Sequence, residues 1–187
     1  MARDYTLAKY KELLEAMTGY TVVTVEQFLR GCHEPFIILR HDVDKYPVRA
    51  ARMAQLEKTK NILATYYFRW INGFPGNQIN DVKILDHEIG YHFENLSEFN
   101  GDKKKALADF EKKLVELRKI AAVTTVAMHG APRSKINNAD MVKNIDLSNY
   151  SLLGEPHSSP QFRDIIYITD TGRNWSKAGR LSRPETQ

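Results

Sequence analysis

The chain has 187 residues, 42% of them hydrophobic and 27% charged, which suits one globular domain with a sizeable core and excludes a disordered or fibrous chain. Its 27 basic and 23 acidic residues leave a net charge of +4, and the longest basic run, Lys103-Lys104-Lys105, has no interleaved aromatics, so nucleic acid is not an expected partner. A single cysteine, Cys32, excludes an internal disulfide. With no signal-peptide pattern and no apolar run near the roughly 20 residues of a membrane span, the expectation is a soluble cytoplasmic protein.

Leu7, Tyr10, Leu14 and Met17 recur at helical spacing as far as Gly19, and Thr24-Val-Glu-Gln27 has the form of a capping box for a second helix ending at Gly31. Residues 1–34 are therefore expected to be a helical segment packed on the rest. Residues 35–44 begin with a nearly continuous apolar run, as in a strand buried on both faces. A helix over 47–60, a strand over 62–69, a short helix near 78–86 and a strand over 88–94 follow. Asp102 caps a helix lined by Leu107, Phe110, Leu114 and Leu117; strands over 124–130 and 164–170 complete the pattern. Such alternation builds βαβ units and a parallel sheet, either open and doubly wound or barrel-like. Residues 35–175 form the main domain, and 176–187 a polar tail.

The chemically informative residues fall at the ends of these strands: Asp42 and Asp44, Arg69, His92 and Glu94, and His129. In parallel α/β folds the carboxyl ends of the strands gather on one rim. Asp42 and Asp44 are two apart and share a face, as do His92 and Glu94. Two carboxylates on one face repel unless a cation stands between them, and zinc with mixed oxygen and nitrogen ligands and an open water position resolves the conflict. One aspartate then binds metal while the other takes a proton from water. His41 points the opposite way, toward packing. Plainer readings stand beside these: the aspartates as caps of the helix after Pro47, His92 as a hydrogen-bonded core histidine, and Arg69 as one half of a structural ion pair.

Leu39-Arg-His-Asp-Val-Asp44, Ala64-Thr-Tyr-Tyr-Phe-Arg69, His87-Glu-Ile-Gly-Tyr-His92 and Met128-His-Gly-Ala-Pro132 resemble the polysaccharide deacetylase (NodB-homology) family. The closest likeness is to a divergent branch associated with surface-polysaccharide biosynthesis. The resemblance implies a distorted (β/α) barrel, a divalent metal, most fittingly Zn²⁺, and removal of the acetyl group from an N-acetylated saccharide. Carried over, Asp42 matches the general base, Asp44 the first metal ligand and His92 the first histidine of a His-x-x-x-His motif. Leu96 stands where that motif's second histidine belongs, so Glu94 or His129 is expected to supply the third ligand. The arginine that orients the catalytic aspartate is sought among Arg133, Arg69 and Arg40. The family's late histidine has no counterpart after residue 157, leaving His129 or His157 to protonate the leaving amine. Tyr46, Arg69, Arg133 and Trp175 are the candidate substrate-binding residues. Against a barrel of about eight strands the chain is short, so the barrel is expected to be incomplete at its C-terminal side. Two rival functions remain at this level: a degenerate carbohydrate-binding relative without catalysis, and a metal-dependent hydrolase of another amide or imide.

Overall fold

A computed structural model describes residues 5–32, 36–132, 134–143 and 145–170, and the backbone of 179–180. Thr6 opens α1 (Leu7–Ala16) by accepting the Lys9 N–H. A three-residue strand, β1 (Thr21–Val23), follows; so short a segment shows no alternation for sequence reasoning to detect. The Thr24/Gln27 capping box opens α2 (Val25–Leu29) as expected. After β2 (Phe36–Ile38) the chain breaks at Leu39 and continues as β3 (Arg40–Val43). Pro47 then occupies the first turn of α3 (Pro47–Lys58), where its missing N–H has no helical partner to lose. β4 (Thr65–Arg69), α4 (Gly76–Lys83) and β5 (Glu88–Phe93) come next. α5 (Asn95–Glu98) and the Asp102-capped α6 (Lys103–Arg118) lead to β6 (Val126–Met128). α7 (Ala139–Val142), two 3₁₀ turns, β7 (Ile166–Tyr167) and β8 (Gly179–Arg180) complete the described chain.

β3, β4, β5 and β6 form a parallel sheet in chain order. Leu39 joins it to the parallel β1–β2 pair, donating to the Val23 carbonyl at 3.3 Å and accepting the Thr65 N–H at 2.9 Å. On the opposite edge Thr125 bridges Gly154 in parallel, and Leu153 N–H donates to the Thr124 carbonyl at 2.7 Å. Neighbours in sequence are thus neighbours in space, and the sheet curls in one sense into a half-barrel instead of reversing from its middle as a doubly wound sheet does. Among the described residues no helix is long and apolar enough to cross a membrane.

Strand alternation sorts the two faces. Tyr66, Phe68, Ile89, Tyr91 and Phe93 face outward, packed against Ala50, Ala54, Ile79, Phe110 and Leu114 of the helices. Tyr67 and Ala127 face the concave side, where Val25 and Phe162 cover them. Gly90 makes this possible: a Cβ there would collide with the Tyr67 ring and lie 3.0 Å from the Thr125 carbonyl.

Two expectations are corrected. Phe36, Ile37 and Ile38 are only partly buried, because among the described residues no further strand covers the concave face of the half-barrel beside them. Of residues 164–170 only Ile166 and Tyr167 are extended, and they pair antiparallel with β8, with Ile166 72% exposed. The chain around Gly154, not residues 164–170, takes the place beside β6.

Candidate metal centre

Two-residue alternation lifts a column of polar side chains up the concave face of each strand. Asp42 is level with Tyr67 on β4, and Arg69 is level with His92 on β5, which is level with Ala127 on β6. Asp44, Glu94 and His129 follow just beyond the strand ends. The structure therefore brings the aspartates, both histidines, Glu94 and Arg69 to one rim, as the spacing predicts.

Asp44, His92 and His129 turn one ligand atom each toward a common point, with all three atoms within 4.8 Å of one another. Asp44 Oδ1 lies 3.4 Å from His92 Nε2 and 3.6 Å from His129 Nε2. It is buried and among the described residues has no hydrogen-bond partner. Ion pairing alone would draw these atoms to about 2.8 Å. The observed separations instead match the edge of about 3.3 Å of a tetrahedron with metal–ligand bonds near 2.0 Å.

The tautomers fit the same reading. His92 Nδ1 donates to the Ala127 carbonyl at 3.0 Å, which leaves a lone pair on Nε2. His129 Nδ1 is 3.0 Å from Glu94 Oε2. The Ala131 N–H also approaches this nitrogen, at 3.3 Å, but the Glu94 contact is the shorter and a carboxylate only accepts, so in a neutral ring the proton sits on Nδ1 and Nε2 faces Asp44 with a lone pair. Burial pushes the Glu94 pKa up, but the His129 and Arg69 hydrogen bonds and the Arg69 charge outweigh it and bring it down to about 2. A carboxylate and two oriented imidazoles suit a zinc-type cation and leave a fourth position open.

Glu94, a candidate ligand by sequence, stands behind His129 instead, with its second oxygen on Arg69. Leu96 is buried in the main core, and His129 occupies the third place. Phe93 carbonyl accepts the His129 N–H at 2.7 Å, and Asn138 donates to the His129 carbonyl at 2.8 Å while accepting the Ser97 N–H at 2.9 Å. That staple is invisible in sequence, because Asn138 comes from a loop with no chemical pattern of its own.

Asp42 sits beside the triangle, its Oδ2 3.9 Å from His92 Nε2 and its side chain 36% exposed. Of the two described candidates, Arg40 and Arg69, it is Arg40 that holds it, with one guanidinium nitrogen 2.5 Å from each carboxylate oxygen. Burial would raise the Asp42 pKa; the Arg40 charge and its hydrogen bonds hold it below the ordinary carboxylate value. The other guanidinium nitrogen donates to His157 Nε2 at 3.1 Å, and the Arg40 group lies 5.3 Å above the Tyr67 ring. Arginine can only donate, so His157 Nε2 carries a lone pair, and burial and the Arg40 charge push the His157 pKa down in the same sense. Glu155, fully buried, fixes that loop by accepting the His157 N–H, the Ser158 hydroxyl and the Met128 N–H at 2.8–3.1 Å. His41 turns away, its Nε2 2.6 Å from Glu57. His87 is a satisfied core histidine, bonded to Ala64 N–H and the Ala54 carbonyl. Tyr46 is exposed under the Arg49 guanidinium, 4.5 Å from its ring centre. Arg133 and Trp175 lie outside the described residues.

Comparison of the chain with protein-family models, curated proteins and solved structures gives no match.

Proposed function

We propose that this protein is a zinc-dependent hydrolase that releases acetate from an N-acetylated saccharide, as a divergent relative of the polysaccharide deacetylases. The observation that carries the reading is the Asp44–His92–His129 triangle with an Arg40-held aspartate at its side. Asp44 Oδ1 and the two Nε2 atoms would hold the cation, which when bound lowers the pKa of a water and polarises a carbonyl. The protein's own groups do the rest. Asp42, kept ionised by Arg40, is the carboxylate placed to accept a proton from the attacking water. His157 accepts from Arg40 at Nε2 and so has no proton to give there; the departing amine takes the proton that Asp42 accepts from the water. Glu94 keeps the His129 proton on Nδ1, away from the reacting face.

The test measures acetate release from N-acetylated sugars by zinc-loaded protein, alongside zinc content. Asp42→Asn is expected to lower turnover by about 10²–10⁴-fold while stoichiometric zinc is retained. Undiminished release in Asp42→Asn, or none from the zinc-loaded wild type, overturns the reading.

A further inference from the structure

A groove of about 320 Å³ opens beside the triangle, between the loop after β3 and the loop after β4. That volume lies at the lower end of small-molecule sites. Asp44 forms part of its wall, so whatever fills the groove touches the residue that would hold the cation. Ile71 and Phe74 supply an apolar side. The Phe74 ring is braced edge-on by Trp70 at 5.0 Å and Tyr91 at 5.6 Å, which makes that wall rigid.

The charges around the groove are unevenly partnered. Arg69, which lines it, is committed to Glu94, and Arg40 across the rim is committed to Asp42. Lys45 also lines the groove, and among the described residues it makes no ion pair. Its neighbour Asp44 is turned to the histidines instead. Lys45 is exposed, and a lysine at the edge of a groove with no ion pair among the described residues is a point charge available to an anion.

We infer that the groove binds the part of the saccharide next to the hydrolysed amide, and that Lys45 selects substrates carrying a negative charge there, a phosphate or a carboxylate. The inference rests on the hydrolase reading for the placement of the amide at Asp44. The sugar face packs on Phe74, the amide lies toward Asp44, and the anionic substituent meets the Lys45 ammonium. Lysine fits this role because a mobile point charge serves either anion without demanding bidentate geometry.

Binding to the zinc-loaded full chain is measured by calorimetry for N-acetylglucosamine, N-acetylglucosamine 1-phosphate and N-acetylmuramic acid. At least one anionic sugar is expected to bind about five-fold tighter than the neutral one, a ratio typical of a single exposed charge contact. Lys45→Gln should abolish that preference and Lys45→Arg should keep it. Equal affinity for all three sugars overturns the inference, as does a preference that survives in Lys45→Gln, since the anion is then bound by the metal. Acetate release is scored separately: a Lys45-dependent preference without release defeats the hydrolase reading and leaves the groove standing. Release that is indifferent to Lys45 and to substrate charge does the reverse.

Discussion

Glu94 shows how one residue's role turns on its neighbours. Sequence spacing places it on the same face as His92, which is as consistent with ligation as with support. In the folded chain one oxygen faces His129 and the other Arg69, so the carboxylate orients a ligand and is itself fully paired. Replacing it with glutamine removes the charge that keeps the His129 proton on Nδ1 and leaves Arg69 unpaired. Zinc affinity in Glu94→Gln, read by competition with a chelator, should fall about ten-fold or more. The depressed pKa carries a stability consequence of definite sign. A group whose pKa is lowered by folding contributes above its unfolded value, about 4.3, and loses that contribution as pH falls through its folded value. The stability difference between metal-free wild type and Glu94→Gln is therefore expected to hold steady above pH about 5. It should shrink as the pH approaches about 2. A difference that persists unchanged in acid would show that the charge is not its source.

At the level of elements, β4 and β5 determine the shape of the concave face. Tyr67 lies across it with its hydroxyl 3.0 Å from Thr125 and its ring beneath Arg40, and the space it fills exists because Gly90 has no side chain. A glycine inside a strand costs intrinsic stability, and here the close approach of an aromatic ring offsets it. Gly90→Ala should destabilise the fold by about 1–3 kcal/mol through overpacking, visible as a lower midpoint in chemical denaturation. Gly76→Ala is the control, since a Cβ at Gly76 meets only one side-chain carbon at 3.8 Å. The strands themselves were largely legible: the β-branched and aromatic run of 62–69 and the alternation of 88–94 emerge as β4 and β5 at nearly the expected bounds. β1 was not legible, and residues 164–170 were misread as a barrel strand, because in both places a short extended segment owes its pairing to a distant partner and not to its own pattern.

Across the whole molecule, α1 is joined to the half-barrel through one buried carboxylate. Glu57 on α3 has no exposed side-chain surface and accepts from Tyr10 of α1, from Tyr66 of β4 at 2.8 Å and from His41 of β3 at 2.6 Å. Burial disfavours its charged form, but the His41 interaction and the tyrosine hydroxyls overcome that and lower its pKa. The contribution is accordingly present above the ordinary carboxylate range and lost as pH falls below it. Glu57→Ala should cost about 3–5 kcal/mol in denaturant unfolding, since buried Tyr66 and the partly buried Tyr10 and His41 lose their shared acceptor. Tyr10→Phe should cost only about 1 kcal/mol and speed amide exchange in α1 while leaving β4 and β5 protected. Equal loosening of both regions would mean that the clamp supports the barrel as a whole and not α1 in particular.

The sequence by itself determined the alternation of strands and helices, and with it which side chains share a face. The two-residue period of β3 and β5 turns Asp42 and His92 to the concave face and aims Asp44 and Glu94, one position past the strand ends, at the same rim. Only the tertiary structure decided the rest. The one-sense curl of the sheet, set by the order of strand pairing, brings β3 within reach of β6, so that His129 and not Glu94 or residue 96 completes the triangle with Asp44 and His92. The same curl delivers His157 and buried Glu155 from beyond β6 to Arg40. Local periodicity fixes direction along a strand; distances between strands far apart in the chain are set by how the whole sheet closes on itself.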